Sequence, residues 1–293
     1  MVEEKAYAKV NLSLDVIKRR KDGYHAVKMI MQTIDLYDTL TFEKTEKEIK
    51  LVTDNYFLNK EAESGKDNLV VKAAKAFFEY TGINGGVEIN LYKRIPLAAG
   101  MGGGSSDAAA ALRALNSLYC AGLSADKLRE IGVTIGADVP FCVEGGTCLC
   151  EGIGEVLTKL PDLPLTDILI CKPRIDVSTK AAYEAYDSLE NPLHPDVAVM
   201  KELIVSCEVE KQALAALMGN SLEKVTSGLY PEIESIKGKM LQAGALNAMM
   251  SGSGPTVFGV FGSKEACVNA GKSIMAKCPL YVTRVTSSIN PKE

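Results

Sequence analysis

Three things are missing from this sequence, and each absence removes a class of function. Positive charge is not in excess. The 293 residues carry a formal net charge of −4, so bulk electrostatics give no reason to expect a nucleic-acid or anionic-membrane partner, although a local basic pocket can still hold phosphates. No uninterrupted apolar run is long enough to cross a bilayer, and the opening MVEEKAYAKV is acidic where a targeting segment would be basic and then apolar. A cytoplasmic protein with no membrane partner is the expectation. Metal-ligand spacing is the third absence. The eight cysteines are scattered singly, Cys148 and Cys150 being the only close pair, and no spacing matches a zinc site or a redox CxxC. Buried, reduced thiols are expected, with Cys148 and Cys150 packed in the core along one strand. Repeats and low-complexity segments are lacking too.

What is present is an ordinary globular composition, 47% hydrophobic and 24% charged, in a chain long enough to favour two domains or one large α/β unit. The Pro/Gly-rich GIGEVLTKLPDLPL places a boundary near residue 160 and gives segments 1–160 and 161–293. From Ala8 to Val16 the even positions are apolar and the odd ones are Lys9, Asn11, Ser13 and Asp15. That alternation predicts a half-buried strand with Lys9 and Asn11 on its polar face, pointing away from the core. KRRKDG at 18–23 reads as a turn and Tyr24 to Leu36 as a returning strand, a hairpin in which pairing about Arg20 sets His25 opposite Val16. Asp67 is placed to cap a helix that runs to about Tyr80 and ends at Gly82. A strand over Val87 to Tyr92 follows, then glycines, then a helix capped by Ser105 or Ser106 and reaching roughly Tyr119. Ser124 caps the next helix, to about Gly136, and Ile168 to Cys171 reads as a buried strand.

The densest signal is GMGGGSSDAAAA at 100–111, with Gly100, Gly102, Gly103 and Gly104 set directly against helix-forming residues. A strand, a glycine-rich turn and a helix start together expose several backbone N–H groups beside the positive end of the helix dipole, which is an arrangement that binds phosphate. Glycine is required there because the chain must reach unusual φ/ψ values and because a Cβ would hold oxygen atoms away from the amides. The spacing is not that of a dinucleotide fingerprint, since the last glycine lacks its two-residue gap. AGKS at 270–273 looks like the end of a P-loop, but Ala266 stands where the first glycine is needed and the segment lies in a helical pattern, so Lys272 and Ser273 read as surface helix residues.

P96-L-A-A-G-M-G-G-G-S-S106 resembles the phosphate-binding motif of the GHMP small-molecule kinases. AKVN at 8–11 is similar to the first motif of that family and SGSGPTVFGVF at 251–261 to its C-terminal glycine motif. DGYH at 22–25 and IGADVPF at 135–141 are similar to the branch acting on a cytidine-diphosphate-linked branched polyol. The resemblance implies an α+β protein of two domains, an N-terminal one resembling a ribosomal protein and a C-terminal ferredoxin-like one. It implies ATP as co-substrate, with Pro96, Leu97, Ala98, Ala99, Gly100, Met101, Gly102, Gly103, Gly104, Ser105 and Ser106 around the phosphates and Asn68 and Lys93 on the adenosine side. It makes Asp138 the acceptor of the alcohol proton and Lys9 its charge-stabilising partner, a pair that phosphoryl transfer to an alcohol requires. His25 would read the cytosine edge, with Tyr24 and Tyr183 stacking and Asn11 also on the substrate. Mg2+ would be held by Ser106 and the phosphates. Tyr7 and Met101 depart from the family pattern without removing a functional group. Mevalonate- or homoserine-type kinases and a catalytically silent nucleotide-binding regulator are the competing readings, and the chain is expected to be a monomer or homodimer.

Overall fold

The computed structural model describes residues 1–58, 68–279 and 281–291. Its chain forms two compact units, one of Met1–Ala8, Leu36–Leu97 and Gly102–Glu144, the other of Lys9–Asp35, Ala98–Met101 and Gly145–Glu293. This interleaving differs from a single cut at residue 160. Its cause is the length of β1 (Val2–Arg19) and β2 (His25–Thr45), each of which contributes residues to both units.

In the first unit, β4 (Gly86–Tyr92) lies antiparallel to the distal half of β2, from Thr39 opposite Tyr92 to Thr45 opposite Gly86, and parallel to β3 (Ile49–Thr53). Leu40 and Phe42 of β2 and Val87, Ile89 and Leu91 of β4 alternate into a core shared with α1 (Leu69–Thr81) and α2 (Gly103–Leu118). Each of these large side chains contributes roughly 1.5–3 kcal/mol by leaving water. Helix α2 has no polar stripe along residues 108–112: Ala108 to Ala111 and Leu112 are fully buried, as expected for a helix surrounded by protein. Its neighbours are α1, α3 (Ala125–Val133) and α4 (Val139–Glu144). Ser124 caps α3 by accepting from Lys127 N–H, and Gly82, at φ 67°, ends α1, both as the sequence predicts. The cap of α1 is Asn68; Asp67, the expected cap, lies outside the described residues.

In the second unit, β5 (Thr147–Glu151) pairs antiparallel with the proximal half of β2, Gln32 opposite Thr147 and Met29 opposite Cys150, and with β6 (Val156–Lys159). Cys148 and Cys150 are fully buried on β5. The sheet completed by β7 (Asp167–Lys172) is separate. After β7 come α5 (Thr179–Tyr186), α6 (Val197–Val205), α7 (Lys211–Leu217), β8 (Gly219–Asn220), α8 (Glu223–Leu229) and α9 (Glu232–Gln242), then β9 (Asn247–Met250), β10 (Val257–Phe261), α10 (Lys264–Lys277) and β11 (Val282–Ser287). The four strands stand in the order β11-β7-β10-β9, all neighbours antiparallel, with α9 and α10 packed on them, which is the ferredoxin-like arrangement. β7 is buried along its whole length, as its apolar run predicts. β8 pairs in parallel with β1 at Ser13 and Leu14.

Two expectations need correcting. The polar face of β1 is not solvated: Lys9 is 4% exposed and Asn11 1%. And α2 starts earlier than predicted, with Gly102 as its N-cap and neither serine in that role.

Candidate active site

The glycine segment leads from β4 into α2. Positive φ values fall on Ala98 (48°), Gly100 (68°) and Gly102 (67°), alternating with residues of ordinary handedness. Alternation of this kind turns successive backbone N–H groups to one side and makes a concavity for anions. An alanine at φ 48° is strained backbone, tolerated where the surroundings enforce it. Ala99 and Met101 point inward and are buried, while Pro96 and Leu97 are half-buried. No side chain caps α2, so the first-turn amides of Gly103, Gly104 and Ser105 keep no side-chain partner. Ser106 is buried, and its hydroxyl donates to the Tyr7 carbonyl at 2.6 Å.

Lys93 stands beside this helix start: a Cβ on Gly103 would lie 3.5 Å from Lys93 Nζ. Its ammonium donates to Asp38 and, at 2.8 Å, to Asp107 Oδ2 on α2. Asp38 also accepts the backbone N–H of Arg94 and, at 2.8 Å, of Ile95, which fixes the chain entering the loop. Burial would lower the Lys93 pKa, but the attraction of Asp107 and Asp38 outweighs it and the pKa is raised. Burial pushes the Asp107 carboxyl up to about 8, against the pull of Lys93 and with the repulsion of Asp38. Asp107 Oδ1 has no hydrogen-bond partner. Sequence reasoning placed Lys93 on the adenosine side and missed both carboxylates. Asn68 spends its side-chain oxygen on Val70 N–H.

Asp138 is half-buried immediately before α4, and its carbonyl accepts from Cys142 N–H. Its loop passes the first turn of α2, since a Cβ on Gly136 would sit 3.9 Å from Ser105 Oγ.

In the second unit, Lys9 Nζ donates to Asn11 Oδ1 at 2.7 Å and to the Gly100 carbonyl at 3.3 Å. The period of two that was read as a solvated face therefore sets two buried polar side chains side by side. Asn11 Nδ2 faces Met29 Sδ at 3.1 Å. The C-terminal glycine motif covers the pair. Ser251 Oγ donates to the Gly100 carbonyl at 3.0 Å, and Gly252, at φ 57°, leaves room: a Cβ there would be 3.1 Å from that carbonyl and 3.6 Å from Lys9 Nζ. Asn220 Nδ2 holds the motif by donating to the carbonyls of Met250 and Gly252.

A second cluster surrounds the hairpin turn. Arg20 N–H donates to the Tyr24 carbonyl, so the loop closes between those residues and His25 begins β2 nearer the end of β1 than the expected partner Val16. The His25 ring stacks on Tyr183, with centroids 4.7 Å apart and an interplanar angle of 24°. His25 Nε2 lies 2.7 Å from Asp187 Oδ1, and Arg19 lies 3.3 Å from Asp187 Oδ2. Tyr24 is 61% exposed. The structure brings His25 and Tyr183 together ring on ring and adds Asp187, which no local pattern announced.

Cys148, Cys150, Cys171 and Cys267 are buried, whereas Cys120 and Cys207 are exposed, which corrects the expectation of buried thiols throughout. Burial pushes Cys171 up to about 11 and Cys267 up to about 12, the signature of inert core cysteines. No helix among the described residues is long and apolar enough to cross a membrane.

Comparison with known proteins places the chain in a family. The model of the GHMP kinases N terminal domain matches residues 68–146, and that of the GHMP kinases C terminal region matches residues 200–276. A protein of Lachnospira eligens named 4-diphosphocytidyl-2-C-methyl-D-erythritol kinase is 46% identical over 98% of both chains. One of the same name from Lachnoclostridium phytofermentans is 49% identical over 92% of this chain and 91% of its own. Among solved structures, a 4-(cytidine 5'-diphospho)-2C-methyl-D-erythritol kinase superposes with TM-score 0.80 at 33% identity, covering 98% of this chain and 99% of the other. A homoserine kinase from Cytophaga hutchinsonii, at TM-score 0.72 and 22% identity, covers 98% of this chain and 95% of its own; it shares the fold. By sequence, fold and motif alike, the chain belongs to the GHMP kinases, in the family of the 4-diphosphocytidyl-2-C-methyl-D-erythritol kinases.

Proposed function

We propose that this chain transfers the γ-phosphoryl group of ATP to the 2-hydroxyl of 4-diphosphocytidyl-2-C-methyl-D-erythritol, a step of the non-mevalonate route to isoprenoid precursors. The observation that carries the reading is the buried Lys9, hydrogen-bonded to Asn11 and to the carbonyl of the central loop glycine. A cation held inside the protein against a glycine loop suits a reaction in which negative charge must be spread over a transferring phosphoryl group.

Asp138 takes the proton of the 2-hydroxyl and Lys9 stabilises charge on the reacting oxygens. Transfer needs little other covalent help from the protein, so orientation and electrostatics supply most of the rate. The amides of Gly103, Gly104 and Ser105 hold phosphate oxygens, with Lys93 fixed nearby by Asp38 and Asp107. The residues present fit Mg2+: Ser106 gives its proton to Tyr7 and keeps an oxygen lone pair for a hard cation. Among the described residues no group of three or more His, Cys, Asp or Glu side chains is arranged for a metal. When bound, Mg2+ neutralises charge on the β- and γ-phosphates. At the far end of the substrate, His25, Tyr24 and Tyr183 take the cytosine.

Incubation of the purified chain with ATP and, separately, the cytidine-linked polyol, mevalonate and homoserine tests the reading. Phosphorylation of the first alone is expected. Preference for mevalonate or homoserine would overturn the substrate assignment, and turnover of none would favour a silent nucleotide-binding protein.

A further inference from the structure

The His25 cluster contains a charge that base recognition by His25 does not by itself require. Tyr183 and Asp187 are four residues apart, Tyr183 within α5 and Asp187 at its C-cap, so they project from one face of the helix. Tyr183 meets the imidazole on its ring face and Asp187 meets it at Nε2. The His25 side chain is only 8% exposed. Its other nitrogen, Nδ1, makes no hydrogen bond among the described residues and is not one of the fully enclosed unpaired atoms, so it remains open to a ligand.

We infer that Asp187 is a positioning residue that fixes which nitrogen of His25 carries the proton, and through it selects cytosine over uracil. An ionised carboxylate can only accept, so in the neutral ring the proton resides on Nε2 and Nδ1 presents a lone pair. Arg19 lies 3.3 Å from the second oxygen of the same carboxylate. A lone pair at Nδ1 matches a donor on the base. Cytosine offers its 4-amino group at that edge; uracil offers O4, an acceptor, and two lone pairs would face each other in a nearly dry site. The stack on Tyr183 holds the ring plane, leaving the protonation pattern as the variable that Asp187 sets. This inference rests on the cytidine-linked substrate of the preceding section.

The test compares the whole chain with its Asp187→Asn and Asp187→Ala variants, using ATP with the cytidine-linked polyol and with its uridine counterpart. The amide of Asn can donate to Nε2 and so admit the opposite tautomer, while Ala removes the constraint. In both variants KM for the cytidine substrate should rise at least about tenfold, with kcat and KM for ATP within about twofold, and the kcat/KM preference for cytidine over uridine should shrink at least about tenfold. An unchanged preference overturns the inference, and so does a fall in kcat and ATP affinity with no change in preference, which marks a merely structural residue. If the unmodified chain phosphorylates neither substrate, the kinase reading itself fails; if it works and the variants match it, only the role of Asp187 fails. Imidazole 15N spectra supply a second readout, because the chain has only two histidines and His194→Gln isolates His25. A pyrrole-type Nε2 with a pyridine-type Nδ1 is expected, and the reverse pattern would contradict it.

Discussion

At 100–106 glycine stands where the backbone turns left-handed; at 270–273 it stands where a helix meets a sheet. Gly100 and Gly102 have φ near 68° and lead into a helix that no side chain caps. Gly271 lies inside α10, whose start is capped by Ser263 accepting from Ala266 N–H, and its missing side chain lets the helix approach Leu169 of β7 and Val285 of β11. Lys272 and Ser273 are exposed on that helix, as the sequence predicts. Similar letters therefore serve an open ring of amides in one place and close packing in the other. What distinguishes them is whether the N–H groups are already spent on a helix.

The contrast can be broken by substitution, starting at the reacting end of the glycine site. Asp138→Asn removes the proposed proton acceptor and should lower kcat by about 10²–10⁴-fold, with nucleotide affinity within about twofold by equilibrium titration; wild-type turnover would remove Asp138 from the chemistry. Gly100→Ala places a methyl group against the Ser251 carbonyl in a left-handed backbone. Roughly 1–3 kcal/mol of stability should be lost in denaturant unfolding, together with ATP affinity.

The next effect is one of pH. The Asp107 carboxyl, at about 8 in the folded chain against roughly 3.9 unfolded, binds a proton in the native state that the unfolded chain releases. Its contribution is thus full below about pH 4 and is lost as pH rises through about 8. Between pH 6 and 8 the unmodified chain should lose stability relative to Asp107→Asn, by up to about 1 kcal/mol per pH unit, in paired urea unfolding curves. Parallel curves would contradict this. The smallest effect belongs to the helix lookalike: Lys272→Ala should change stability by no more than about 0.5 kcal/mol and leave kcat/KM alone.

Local signals carried much of this into the sequence. The strand, glycine run and helix that build the glycine loop are adjacent in the chain, so periodicity and turn chemistry disclose them. Lys9 and Asn11 were visible as a pair, but their burial was not, because the residues that cover them, Ser251 and Gly252, come from more than 200 residues away. The serines following the glycines look like caps, yet the backbone turns left-handed at Gly102 and begins the helix before them. Asp38 and Asp107 were missed since they lie 55 and 14 residues from Lys93 in the chain, and only the fold brings the three together. Asp187 lies 162 positions from the histidine it holds.

The most direct measurement follows the backbone amides of Gly103, Gly104 and Ser105 by 1H–15N correlation while a non-hydrolysable ATP analogue is added. These three should move strongly, as donors to phosphate, with Lys272 and Ser273 unmoved. Stationary signals at the glycine loop, with binding detected elsewhere, would contradict the account.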